Sequence, residues 1–277
     1  MRKITIDNTT YLCPRTLAEC DADQVGLVMM YQLALELYPS GKERVLSKIA
    51  LLKNLIKVSE KILKKLTPLQ MQQLLSVVNW AATAKITGQP FAFFIHNKIK
   101  YYLPKPNLAD TSAIELAMCS VFQLAMCRKN TPNPNAIFSI IATLCRPERK
   151  DLEAHQASPK WDGDCRETYN SIVAEARAND FKTAKVGQIR AIYLYYELMS
   201  NAFFNNYDKL LEPAKELPLY QNGEGQITLL MELAEMGTFG SFEDVCRQNV
   251  HTIWLFIKDK KLKAERLDNS QTTDDDE

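Results

Sequence analysis

Two short phrases limit what this chain can fold into. ITIDNTTYLCP opens at Ile4, and FFIHNKIKYYLP ends at Pro104. Both alternate apolar and polar residues, both place Asn in the middle, and both end Tyr-x-x-Pro. Alternation at period two is the pattern of a half-buried strand, whereas almost everything between and after these phrases repeats at helical spacing. Residues 2–13 therefore predict a β-hairpin turning at Asp7-Asn8, since both residues tolerate positive φ. Residues 91–103 predict a second, with His96-Asn97 at the turn. The expected fold class is mainly α with two small β-hairpins.

Each phrase leads into a similar helical stretch, in the same order of landmarks. Asn8 matches Asn97 at an offset of 89, Tyr11 and Pro14 match Tyr101 and Pro104 at 90, and the YQLAL at Tyr31 matches the FQLAM at Phe122 at 91. Each step in offset requires one inserted residue, first in the turn and then after the proline. Such a succession predicts an internal duplication of a hairpin–helix unit. The expected organisation is a first unit over 1–90, a second over 91–146, a polar loop or linker over 147–164, a helical region over 165–267, and a disordered acidic tail over 268–277, which has no apolar residue after Leu267.

Helical signals fill the rest. DADQVGLVMMYQLALELY carries Val25, Val28, Met29 and Leu33 on one face, with Asp21 or Asp23 as cap. KERVLSKIALLKNLIKVSEKILKKL, residues 42–66, reads as one long helix with Leu52, Leu55, Ile56, Ile62 and Leu63 in a stripe. Thr67-Pro68 is a cap followed by a first-turn proline. Ser241 with Asp244 forms a capping box before a helix that buries Val250, Ile253, Trp254 and Ile257.

Composition sets bounds on function. The chain has 277 residues, 46% hydrophobic and 24% charged, with a formal net charge of +1. A sizeable core is possible, and the whole-protein charge favours neither nucleic acid nor anionic lipid. Seven cysteines without a Cys-x-x-Cys pair, several inside apolar phrases, fit buried thiols in a reducing compartment. The N-terminal phrase lacks the apolar run of a signal peptide, and no run approaches the roughly 18 apolar residues of a membrane span.

Catalytic and metal signals are sparse. His96, His155 and His251 have no partner at zinc-ligand spacing. Asp162 and Asp164 in WDGDC fall short of a calcium loop and read as a turn. Cys165 with His155 could form a nucleophilic pair only if the fold brought them together. Neither GKER at Gly41 nor GTFGSF at Gly237 is a phosphate loop; the second reads as a helix-ending glycine and a tight turn. No enzyme activity, cofactor or metal is expected.

Two sets of residues carry contact potential. Lys53, Lys57, Lys61 and Lys64 form a basic stripe on the predicted helix, suited to nucleic acid or an acidic protein surface. A solvated helix face, screened in part by the acidic tail, is the plainer alternative. Phe94, Tyr101, Tyr102, Tyr193 and Tyr196 belong to short β phrases and a helix with more aromatic surface than one stripe can hide, so they are expected at subunit contacts; the alternative is that the core of a 277-residue chain takes them all in.

The phrases ITIDNTTYLCP, KIKYYLPKPNLADTSAIEL, IATLCRP and ELAEMGTFGSFEDVCRQNVHTIWLFI together resemble stretches of proteins from tailed-phage and prophage morphogenesis regions. Those proteins begin with a strand–turn–strand ending Tyr-x-x-Pro, carry Leu-x-Arg-Pro after an apolar helix, and close with glycine, a turn and an aromatic-bearing helix. The resemblance touches about half the chain in patches. It implies a virion, neck or tail-assembly role, a tail-assembly chaperone included, with no catalytic residues. The expected partners are other phage or virion proteins or a second copy of the chain, in the virion or the host cytoplasm. The alternative expectation is a nucleic-acid-associated or regulatory protein using the basic face of residues 42–65.

Overall fold

The computed structural model describes residues 1–38, 40–159, 161–207, 220 and 223–274, with side chains up to 266. The elements run β1 (Arg2–Ile6), β2 (Thr9–Cys13), α1 (Ala22–Leu37), α2 (Lys42–Leu55), α3 (Glu60–Leu63), α4 (Pro68–Ser76), β3 (Phe93–His96), β4 (Ile99–Tyr102), α5 (Ala113–Cys127), α6 (Ala136–Leu144), β5 (Arg146–Pro147), α7 (Leu152–Gln156), α8 (Ser171–Phe181), α9 (Val186–Asn205), α10 (Gly225–Glu235), α11 (Phe242–Arg247) and α12 (Val250–Asp274). The fold is mainly helical with two small antiparallel sheets, as expected. Among the described residues no helix is long and apolar enough to cross a membrane.

The chain divides into two compact units that ignore the expected boundaries. Unit 1 comprises Met1–Lys98 and Thr183–Leu198; unit 2 comprises Ile99–Lys182 and Met199–Glu277. Continuous segments such as 1–90 and 91–146 are what sequence order suggests, but burial is decided by which helix covers which face.

In unit 1, β1 and β2 pair with Ile6 opposite Thr9 and Ile4 opposite Tyr11. Asp7 and Asn8 make the two-residue turn at φ 49° and 59°. Ile6 and Cys13 are buried on one face, while Lys3, Thr5, Thr10 and Leu12 stay exposed. The helix α1 starts at a capping box. The Gln24 backbone N–H donates to Asp21 Oδ1 at 2.8 Å, and the Asp21 N–H donates to Gln24 Oε1 at 3.0 Å. Asp23, the other candidate cap, is instead 2.6 Å from Lys185 Nζ. Gly26 on α1 meets Gly187 on α9 so closely that a Cβ built on Gly187 would lie 2.0 Å from the Gly26 carbonyl oxygen. Two glycines are what allow this approach. Gln32, the Gln of YQLAL, donates from Nε2 to the carbonyls of Ala81 and Ala84 at 2.8 and 2.7 Å. It thereby anchors the coil after α4 to α1. The unit's core is built on Val25, Val28, Met29, Leu52, Val78 and Ala191.

The expected long helix over 42–66 is broken. Residues 42–55 form α2 and 60–63 form α3, with Lys57 between them at φ 54°. The Val58 N–H donates back to the Lys53 carbonyl at 3.1 Å, the six-to-one bond of a Schellman ending. Val58 is buried by the reversal and Ser59 opens the next turn. The start of α4 is as expected, with Thr67 and Gln70 in a capping box and Pro68 at the first position.

The succession recurs from Phe93 onward. The second hairpin turns at Asn97-Lys98, with φ 47° and 65°, and not at His96-Asn97. This turn simplifies the repeat: Asp7-Asn8 and Asn97-Lys98 align at an offset of 90, the same as the tyrosines and prolines, so no insertion is needed there. A 3₁₀ turn comes after each proline, at Leu17–Glu19 and Pro106–Leu108. Then comes a helix with a capping box, Asp21 with Gln24 and Ser112 with Glu115. The helix after that also aligns, because Leu51, Leu52, Leu55 and Ile56 match Ile140, Ile141, Leu144 and Cys145, and all eight are buried. The same order of hairpin, 3₁₀ turn and capped helix thus occurs in both stretches.

Residues 147–164 are not a linker. Pro147 pairs with Tyr101 in β5, α7 follows, and Asp164 lies in the interior of unit 2. Of the segment's charged residues only Asp164 is buried, paired with Arg146 and Arg166 from either side of it, while Glu148, Lys150, Asp151, Glu153 and Asp162 stay exposed as a polar loop would have them. Nor is the whole of 268–277 disordered, since α12 runs on to Asp274; residues 275–277 lie outside the described ones. Lys263 and Asp259, 2.6 Å apart at i, i+4, pair on the preceding turns of the same helix.

Candidate functional site

The basic stripe loses its continuity with the helix that was to carry it. Lys53 sits on α2, Lys57 in the reversal, and Lys61 and Lys64 at α3. Glu60 lies between two of them, 2.8 Å from Lys64 Nζ and 3.5 Å from Lys53 Nζ. The Lys64 hydrogen bond and charge, with Lys53 behind it, hold the Glu60 carboxyl below the usual range. Local neutralisation of this kind weakens a phosphate-binding row.

Most of the aromatic candidates lie inside. Phe94, Tyr101 and Tyr196 have 1%, 4% and 0% of their surface exposed, so they offer nothing to a subunit contact in this fold. Tyr101 packs edge-on against Phe181 at 4.9 Å. Tyr102 and Tyr193 are half-buried. Further along α9, within unit 2, Phe203, Phe204 and Tyr207 surround Trp254 of α12 at 5.4 to 5.7 Å. One aromatic on a second helix thus absorbs surface that a single stripe could not hide.

Apolar surface faces solvent along α2 and α4, as it does at several other elements. Leu69, Leu46 and Val45 are 64%, 52% and 50% exposed. The helix α2 packs along α1 through Leu51, Leu52 and Leu55, and touches α4 only sparingly. An open groove of about 580 Å³ remains between α2 and α4. It is lined by the apolar Val45, Pro68, Met71 and Leu75 and by the polar Arg44, Lys48, Gln72, Ser76 and Asn79. The residues lining it include two cations and no carboxylate. Lys48 Nζ donates to Asn79 Oδ1. Burial and then the Arg44 charge push the Lys48 ammonium down from its ordinary pKa. In the sequence these residues look unremarkable, because Val45 and Leu69 fall outside the stripes that mark each helix's buried face. That departure from the pattern is the signal that could have found them.

Unit 2 holds the other concentration of chemistry. Arg166 is fully buried: its Nε donates to Asp164 Oδ1 at 2.7 Å, one terminal nitrogen to the Leu144 carbonyl at 2.6 Å, the other to the Asp110 carbonyl at 2.7 Å. Arg146 lies 2.8 Å from both Glu115 and Asp164. Two cations face three carboxylates without solvent, and Asp110 is held above the usual carboxylate range by burial, with Arg166 opposing. For Arg166, burial acts downward, yet Glu115, Asp164 and Asp110 outweigh it and raise its pKa. The charges pair with one another, although Arg146 Nε is buried without a hydrogen bond, and this is the arrangement of a structural cluster.

The remaining candidate residues are not assembled for chemistry. Cys165 is half-buried, and burial followed by the Asp164 charge pushes its thiol up, opposite to what a nucleophile requires. His155 stacks edge-on with Trp161 at 5.5 Å and lies 3.7 Å from Asp162. Burial also pushes the Cys20 and Cys145 thiols up to about 12. Among the described residues no three His, Cys, Asp or Glu side chains converge as a metal site.

Comparison with family models, curated proteins and solved structures finds no match.

Proposed function

We propose that this chain is a non-enzymatic assembly protein that acts through protein–protein contacts, in the building of a tailed-phage particle. The observation that carries the contact reading is the open groove between α2 and α4, with its apolar lining and exposed Val45. A contiguous set of apolar side chains lining a groove beside polar residues, as Val45, Pro68, Met71 and Leu75 do, supports reading it as a docking surface. The phage setting rests on the resemblance of the hairpin, Leu-x-Arg-Pro and glycine–turn–helix phrases to morphogenesis proteins.

Light scattering and native mass spectrometry of the full chain, alone and with the products of adjacent genes, test the reading. A defined oligomer or complex is expected, and Val45→Asp weakens it while the circular dichroism spectrum stays unchanged. A chain that stays monomeric with every neighbour, or a complex indifferent to Val45→Asp, overturns it.

A further inference from the structure

A second groove lies on the other side of α4. Pro68, Met71 and Leu75 face the α2–α4 groove, while Gln73 and Val77 point the opposite way at helical spacing. The second groove holds about 330 Å³, and Leu66 and Leu74 add to its apolar wall. Its other wall is Ile4, Thr5, Ile6 and Asp7 of β1, and β2 contributes nothing. Alternate residues of a strand point to opposite faces, so four in succession line one groove where it follows the strand's edge. Hydrogen bonding agrees. Ile6 and Thr9 flank a two-residue turn and form a bonded pair, which makes Ile4 and Tyr11 the next one. Lys3 and Thr5 alternate with them, so their N–H and C=O groups point away from β2. None of these four groups has a hydrogen-bond partner among the described residues. Another extended backbone is the group that satisfies such a row.

We infer that the β1 edge receives an extended segment of a partner protein, which pairs with it as a third strand in the space beside α4. In the antiparallel sense this strand exchanges two hydrogen bonds with each of Lys3 and Thr5. Its side chains opposite Ile4 and Ile6 turn to the inner face, toward Leu66, Leu74 and Val77, and are apolar. Those opposite Lys3 and Thr5 lie on the exposed face and are polar. Charge narrows the choice further. Asp7, at the turn end, pairs with Lys65 at 3.3 Å, while Lys3 has no ion pair among the described residues. A carboxylate opposite Lys3 gains a cross-strand pair, and a lysine there meets a like charge. A lysine on an edge strand also discourages indiscriminate pairing. The chain itself adds a third strand to its other hairpin, where β5 joins β4, whereas β1 and β2 remain a sheet of two. The β1 edge is separate from the α2–α4 groove, and the inference does not depend on the assembly reading.

The probe is a fluorescent peptide of about nine residues that alternates threonine with valine and has glutamate at the central polar position. A second peptide has lysine there. Two more copies of the glutamate peptide are N-methylated, one at the threonine and glutamate positions and one at the valines. Fluorescence anisotropy with the full chain at low salt is expected to show binding that weakens at least ~10-fold on methylation at the polar positions, whose N–H groups face β1. Methylation at the valines, whose N–H groups face away, changes it by less than ~3-fold. The glutamate peptide binds about three-fold tighter than the lysine one, and Lys3→Glu reverses that order. Thr5→Pro, which removes an outward N–H, weakens binding. Gln73→Trp, at an exposed position, fills the groove and abolishes binding while the circular dichroism spectrum stays unchanged. Val45→Asp, on the far side of α4, leaves it as it was. No binding of any peptide overturns the inference, as does binding indifferent to which positions are methylated, or binding that survives Gln73→Trp. Equal affinity for the glutamate and lysine peptides overturns it too. Binding lost in Val45→Asp places the peptide in the α2–α4 groove and overturns it. A dimer that Thr5→Pro dissolves and no peptide displaces gives the edge to a second copy of this chain, and likewise overturns it.

Discussion

Arg166 joins three stretches of chain, at Leu144, Asp110 and Asp164, through one guanidinium. Removing it leaves carboxylates buried without their cation, the costly half of breaking an interior ion pair. Arg166→Met is therefore expected to lower the stability of unit 2 by about 3–5 kcal/mol in urea denaturation. A further Asp164→Asn recovers part of the loss, because the orphaned charge goes with it. Asp110 behaves differently. Its pKa is raised in the folded state by burial, so the folded chain holds that proton more tightly than the unfolded one. The stability this contributes is complete below the ordinary aspartate value of ~4 and is lost as pH rises through the folded value. Asp110→Asn should flatten that decline and cost little at neutral pH, since an amide oxygen still accepts the Lys105 N–H that Asp110 Oδ1 accepts at 2.8 Å. Equilibrium unfolding across pH 4–8 measures the slope. None of this is legible in the sequence alone. Arg146 and Arg166 sit in phrases, LCRPERK and DGDCRET, whose polarity reads as surface. Polarity alone does not distinguish a charge facing water from one facing its partner.

Hairpins and caps are legible because their chemistry is local. Asp7-Asn8 needs only its own φ preference, and Ser241 needs only Asp244 three residues on. The break between α2 and α3 is not, because no glycine or proline marks it. Lys57 takes the left-handed conformation so that Val58 can be buried, a tertiary gain overriding a local preference. Lys57→Gly removes the steric cost at φ 54° and, net of added unfolded-state freedom, should stabilise by about 0.5–1 kcal/mol. Lys53→Gly, four residues earlier inside α2, should destabilise by about 1 kcal/mol. Opposite signs for the same replacement, read from urea midpoints, would locate the reversal; equal signs would place Lys57 inside a continuous helix. The place of the second turn is not legible either. His96-Asn97 and Asn97-Lys98 are both plausible pairs by residue type, and the positive φ falls on the second, so local preference alone does not choose between them.

At the scale of the molecule, unit 1 is assembled from residues 1–98 and 183–198. Sequence order suggests contiguous domains, and no local phrase announces that a helix from the second half will cover α1. The Gly26–Gly187 approach is the joint. A fragment of residues 1–98 alone leaves Gly26 and Met30 without the Gly187 segment that meets them, and the core without Ala191. It should bind hydrophobic dyes and unfold without a cooperative transition. Joining residues 183–198 to its C-terminus through a flexible linker should restore cooperative unfolding. A fragment that folds cooperatively by itself would show that the α9 segment is dispensable.

That close contact between two glycines also sets a schedule. Unit 1 cannot close until Leu198 has been made, about 100 residues after Lys98. A ribosome adding roughly 5–20 residues per second reaches that point some 5–20 s later. Throughout that interval the nascent N-terminal segment presents its apolar α1 face to its surroundings. Synthesis is thus the stage at which this protein is most exposed to chaperones, to proteases and to premature association with other copies emerging alongside it.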